Sequence, residues 1–126
     1  MQKRTARRAV AVGMLALAFV SHGPKAQPAP DANAPAFDKA KLAEVSRIFE
    51  QRCIVCHAKK PTFEGILEAP KGFILEDPKR WTEQSQLIHQ QVVATNIMPL
   101  GNLTQMTPEE RATIAAWVAA GAPAPE

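Results

Sequence analysis

The 126 residues carry a formal charge of +3, with 15 lysines and arginines against 12 acidic side chains, and a chain of this length has room for one domain. Five of the basic residues, Lys3, Arg4, Arg7, Arg8 and Lys25, lie in the first 26 positions, and without them ten basic side chains face twelve acidic ones. The basic overall balance is therefore no footprint of nucleic-acid binding.

The N-terminus reads as an export signal. A basic start is followed by an unbroken apolar run from Ala9 to Val20. Those twelve residues would span about 18 Å as a helix, short of a bilayer core of about 30 Å. Residues 1–26 are thus expected to be a signal peptide. Neither Ser21-His22-Gly23 nor Pro24-Lys25-Ala26 is a clean small-x-small triplet, so retention as a membrane tether is the alternative. Residues 27–36 are rich in proline and alanine and nearly free of large apolar side chains, which predicts a disordered spacer. The same composition predicts a disordered tail over 122–126.

The first helix is expected from Asp38 to Arg52. Asp38 suits an N-cap, and Leu42, Val45 and Phe49 follow at helical spacing, with Ile48 beside them. This helix delivers the chain into Cys53-Ile54-Val55-Cys56-His57, which contains the only two cysteines. Two thiols at this spacing, with a histidine directly after the second, read as a covalent haem attachment site. Each thiol can bond one vinyl-derived carbon of the same porphyrin, and His57 can offer an imidazole nitrogen to the iron. Three other uses of the cysteine pair fit less well. A disulfide would not need His57. A thioredoxin-like redox pair belongs near a βαβ pattern, and no convincing strand run is present. A structural zinc site needs about four ligands, and the remaining histidines are only His22, in the leader, and His89.

In an oxidising compartment, thiols awaiting a porphyrin must be kept from pairing until it arrives. After His57, Pro61, Gly65, Pro70 and Gly72 break any periodicity, predicting a loop. Phe63, Ile66, Leu67, Phe73 and Ile74 would wall a haem edge or form a small core. Pro61 is a candidate to supply a carbonyl to the second ring nitrogen of His57. Asp77-Pro78 signals an N-cap and a first-turn proline. Trp81 and Arg80 are candidates either for a propionate contact or for ordinary core and surface roles. A further helix is expected over Gln84 to Thr95. His89 within it reads as a surface or packed residue rather than a ligand.

Met98 precedes Pro99 and is pushed out of helical geometry, so its thioether can project sideways just beyond that helix. Lying downstream of Cys-x-x-Cys-His, it is the candidate second iron ligand, which would raise the reduction potential. Met106 competes, but it sits directly before a helix start, where methionine more often packs. Thr107-Pro108-Glu109-Glu110 gives a cap, a first-turn proline and a capping-box glutamate. Ile114, Trp117 and Val118 form an inward stripe, and Gly121 ends the last helix. Ala112, Ala115, Ala116, Ala119 and Ala120 offer a low surface to a neighbouring helix.

From residue 37 to 121 the chain resembles the class I c-type cytochromes: helix, Cys53-x-x-Cys56-His57, loop, helix, Met98-Pro99, final helix. The resemblance implies an all-α fold, three to four main helices around one covalently bound haem c. It also implies first and last helices that cross near Phe49 and Trp117. Where such proteins often place glycine, four residues before the aromatic, this chain has Val45. A narrower run, Cys-His-Ala-Lys-Lys-Pro-Thr-Phe with Met-Pro-Leu-Gly-Asn-Leu-Thr-Gln-Met-Thr, is similar to the cytochrome domain at the C-terminus of bacterial membrane-bound urate oxidases. Those proteins precede it with transmembrane helices, and this chain shows only the leader and spacer.

The expectation is therefore a periplasmic mono-haem protein rather than an enzyme. It would carry single electrons between a redox donor and acceptor, with Cys53, Cys56, His57 and Met98 as cofactor-binding residues and His57 and Met98 on the metal. Two alternatives stand beside it. One is an electron-transfer subunit docked on a membrane urate oxidase or dehydrogenase. The other is a five-coordinate haem enzyme or sensor, which would follow if Met98 does not bind.

Overall fold

Helix signals dominate the sequence, and helices are what form. A computed structural model describes residues 37–125. The expected signal peptide and spacer over 1–36 lie outside the described residues. Among the described residues there is no strand, so the fold is all-α. No helix among them is long and apolar enough to cross a membrane.

Helix α1 spans Lys39–Ile48 and starts where expected, with the Asp38 carboxylate accepting from the Lys41 N–H. It runs on without a break into a wider π-helical segment, Phe49–Ile54. After a long loop with a 3₁₀ turn at Pro70–Gly72, helix α2 covers Pro78–Glu83, capped by Asp77. Helix α3 covers Ser85–His89 and also passes into a π-helical segment, Gln90–Ala94. Helix α4 covers Pro108–Ala119. Its complete capping box is present: Thr107 Oγ1 accepts from the Glu110 N–H, and the Glu110 carboxylate accepts from the Thr107 N–H. Gly121, at φ +88°, takes the left-handed conformation that closes a helix without a Cβ penalty.

The core forms where α4 packs across α1 and α3. Val45, Ile48 and Phe49 from the first helical run meet Ile114 and Trp117 from the last, all essentially inaccessible to water. Phe49 stacks on Trp81, with ring centroids 4.0 Å apart and planes within 6°. Its other side meets the edge of Trp117 at 5.6 Å. Such aromatic pairs add about 0.5–1.5 kcal/mol each beyond area burial. Val45 occupies the position where the resembled family often has glycine, and the fold buries it completely. The small side chains are on α4: Ala112, Ala116, Ala119 and Ala120 line an open apolar groove of about 450 Å³ with Phe37, Lys41 and Glu44.

Trp81 resolves as a core residue. Its indole N–H donates to the Leu75 carbonyl at 2.7 Å, so that donor is already used and cannot serve a propionate. Arg80 pairs with Glu83 at 3.1 Å. The packed chain also extends past residue 121. Ala122 is buried, and its carbonyl accepts from Thr82 Oγ1 at 2.8 Å. The Pro123 carbonyl accepts from the Trp117 indole at 2.9 Å. The hydroxyl of half-buried Thr82 and the indole of buried Trp117 thus find their acceptors in residues that composition alone had consigned to a loose tail.

Candidate functional site

The Cys53–His57 segment closes the first helical run. The His57 N–H donates to the Cys53 carbonyl at 2.8 Å, so the motif leaves the helix within a single turn. Cys53, Cys56 and His57 are each partly buried, and both thiols are free. Burial pushes the Cys53 thiol up to about 12, reinforced by the negative fields of Cys56 and Glu110. Burial also raises the Cys56 thiol. Both sulfurs are therefore thiols rather than thiolates at neutral pH, which slows any attack they make as nucleophiles.

His57 is held by the loop that follows. Its Nδ1 lies 2.8 Å from the Phe73 carbonyl oxygen. A carbonyl can only accept, so Nδ1 carries a proton, and in the neutral form of the ring the lone pair then lies on Nε2. The Leu75 N–H donates to the His57 carbonyl at 2.8 Å, so the same extended stretch grips the residue from two points. The ring of Phe73 meets the imidazole edge to face at 5.6 Å. Upstream, the Val55 carbonyl accepts from the N–H groups of both Thr62 and Phe63 at 2.9 Å, tying the loop down on its other side. Pro61, the candidate from the sequence, does not supply the accepting carbonyl. Phe73 takes that place because the chain reverses at Pro70–Gly72, with Gly72 at φ +65°, and returns alongside His57.

Met98 lies beyond α3, as its proline neighbour requires. It is partly buried and packs against the same hydrophobic core as Cys53, Ile54 and Phe73. Its N–H donates to the Gln91 carbonyl at 3.0 Å, and its carbonyl accepts from Arg111 Nη1 at 2.7 Å. Met106, the competing thioether, is 3% exposed and belongs to the core. Its backbone is bracketed by the Asn102 side chain, which accepts from the Met106 N–H and donates to its carbonyl. His89 lies on α3, partly buried. The groove along α1 and α4 contains none of Cys53, Cys56, His57 or Met98.

Charge is concentrated behind the cysteines. Glu110, 5% exposed, accepts from Arg52 Nε at 2.9 Å and from Arg47 Nη2 at 3.1 Å. Arg52 also donates to the Thr104 carbonyl, and Thr104 Oγ1 returns a hydrogen bond to the Arg52 carbonyl. The residue directly before Cys53 is thus anchored to the start of α4. Burial works to raise the Glu110 carboxyl, but the hydrogen bonds from Arg52, the Thr107 N–H and Arg47 together outweigh it and hold it below its ordinary value.

Sequence reasoning did not identify the Phe73 carbonyl, the Arg52–Glu110 pair or Arg111. The glycine-bearing turn at residue 72 hinted at a chain reversal before Phe73. The capping-box role of Glu110 was legible, but its arginine partners are about 60 positions away. Compared with protein-family models, with curated proteins and with solved structures, the chain matches none of them.

Proposed function

We propose that the chain is an exported mono-haem c-type cytochrome carrying single electrons between redox proteins. The observation that carries this is the histidine geometry: Nδ1 of His57 is committed to the Phe73 carbonyl, directly after two free, partly buried thiols. A histidine that gives one ring nitrogen to a backbone carbonyl is the arrangement used to orient a metal-binding imidazole and raise its basicity. A disulfide between the two cysteines would make no use of His57.

Cys53 and Cys56 would hold the porphyrin through thioether bonds. His57 would bind the iron through Nε2, and Met98 through its sulfur. A haem held this way supplies a single electron that is gained and lost without making or breaking substrate bonds. The protein's part is to fix the donors before the iron changes charge. The Phe73 carbonyl keeps the imidazole from rotating. The apolar packing around Cys53, Phe73 and Met98 excludes water, which favours the less charged state.

A docked electron-transfer subunit is the second reading. It draws support from Ile97, Leu100 and Leu103, which flank Met98 and are 49%, 65% and 57% exposed. Side chains of this kind suit an apolar contact with a partner oxidoreductase. Purification from the native membrane separates the two readings. A carrier leaves as a monomer that accepts electrons rapidly, and a subunit leaves with its oxidoreductase.

Optical spectra of protein made in cells competent for c-type haem maturation test the ligand set. A low-spin ferric spectrum with a sulfur-to-iron band is expected. A high-spin ferric spectrum would favour the five-coordinate enzyme or sensor.

A further inference from the structure

Arg111 sits one turn into α4, and none of its partners is a carboxylate: among the described residues the ion pairs involve Arg47, Arg52 and Arg80. Its guanidinium is spent on neutral acceptors. Nη1 donates to the carbonyls of Val92, at 2.5 Å, and Met98, at 2.7 Å. Nη2 lies 3.4 Å from Asn102 Oδ1. The Val92 carbonyl belongs to the last turn of the α3 run, where unpaired carbonyls gather partial negative charge and favour a cation. The Met98 carbonyl belongs to the strap that leaves it.

With the Met98 N–H already given to Gln91, both backbone groups of Met98 are engaged, one by its own helix and one by α4. Asn102 extends the same network to Met106. The strap over 96–102 is therefore held at Met98 and Asn102 by one side chain of α4, which also binds the end of the α3 run.

We infer that Arg111 is a positioning residue for the Met98 thioether, bridging the carbonyls of Val92 and Met98 so that the strap bearing the sulfur stays closed. This rests on the proposed role of Met98 as a ligand. Charge-assisted hydrogen bonds are roughly twice as strong as neutral ones, and the planar fork of arginine spans acceptors that a lysine meets one at a time. Removing the guanidinium leaves the Met98 carbonyl without its protein partner. The strap then opens more readily, and an external base competes more successfully for the position Met98 occupies.

The test is the affinity of the ferric holoprotein for imidazole, read with the sulfur-to-iron band. Arg111→Met is expected to bind imidazole about tenfold more tightly than the wild type, equivalent to about 1.4 kcal/mol. Arg111→Lys should fall between the two. Arg47→Met removes a comparably connected arginine from α1 and should lower thermal stability while leaving imidazole affinity unchanged. Equal affinities for Arg111→Met and the wild type would overturn the inference, as would an Arg47→Met protein that gains as much. If Arg111→Met does not fold, Arg111→Lys decides alone, and an unchanged affinity overturns the inference. A wild type lacking the sulfur-to-iron band fails earlier and separately, because that result removes Met98 as a ligand whatever Arg111 does.

Discussion

The two sides of the candidate site are built differently. His57 is fixed by what lies near it in the chain: one helical turn from Cys53, and a loop that returns after sixteen residues to clamp its ring and its carbonyl. Met98 is fixed only through its backbone, by Gln91 behind it and by Arg111 from the last helix. Its side chain is held by packing alone. One side is a local motif with an oriented imidazole, and the other is a strap whose position depends on a distant helix. A site of this design should tolerate damage unequally, with the histidine side deciding whether a cofactor is attached at all and the methionine side deciding how the metal behaves.

The largest effect should come from the cysteine side. Cys53→Ser combined with Cys56→Ser is expected to abolish covalent pigment, seen as a denatured protein with no haem band and a polypeptide mass. Next comes the contrast between the two thioethers. Met98→Ala should turn the ferric spectrum high-spin while the haem stays attached. Met106→Ala should keep the low-spin spectrum but lose about 2–5 kcal/mol of stability, the usual cost of emptying a core methionine site. If Met106→Ala instead gives the high-spin spectrum, the assignment of the two sides is reversed.

Glu110 sharpens the comparison from behind, because it anchors the residue next to Cys53 to α4. Glu110→Ala is expected to cost about 2–3 kcal/mol, since it leaves the Arg52 guanidinium without its carboxylate. The pH dependence has a definite sign. A carboxyl whose folded value is lowered contributes in full above its ordinary value of 4.5 and loses that contribution as the pH falls through the folded value. Acid unfolding followed by circular dichroism should therefore be less steep in Glu110→Gln below about pH 4.5. The smallest effect is local to the start of α4: Thr107→Ala breaks the capping box and should cost about 1 kcal/mol, with no change in the spectrum.

Much of this was legible in the sequence because its signals are short-range. Asp38, Asp77-Pro78 and Thr107-Pro108-Glu109-Glu110 announced helix starts that the fold places at those positions, and the stripe of Val45, Ile48, Phe49, Ile114 and Trp117 announced the core. The five-residue motif is the source of the proposed chemistry. What escaped depends on chain reversal and long-range pairing. Gly72 hints at the chain reversal before Phe73, but nothing local says that the reversal brings the Phe73 carbonyl, rather than that of Pro61, to His57. Ala122 and Pro123 looked like tail, yet they accept the hydrogen bonds of Thr82 and Trp117. The π-helical widening before both Cys56 and Met98 likewise left no mark on the apolar spacing.

Intact-mass spectrometry, under denaturing conditions, of protein made in cells competent for c-type haem maturation tests the central claim most directly. The account predicts a polypeptide heavier by one haem, with both cysteines refractory to alkylation. A mass equal to the bare chain, with two alkylatable thiols or one disulfide, would contradict it.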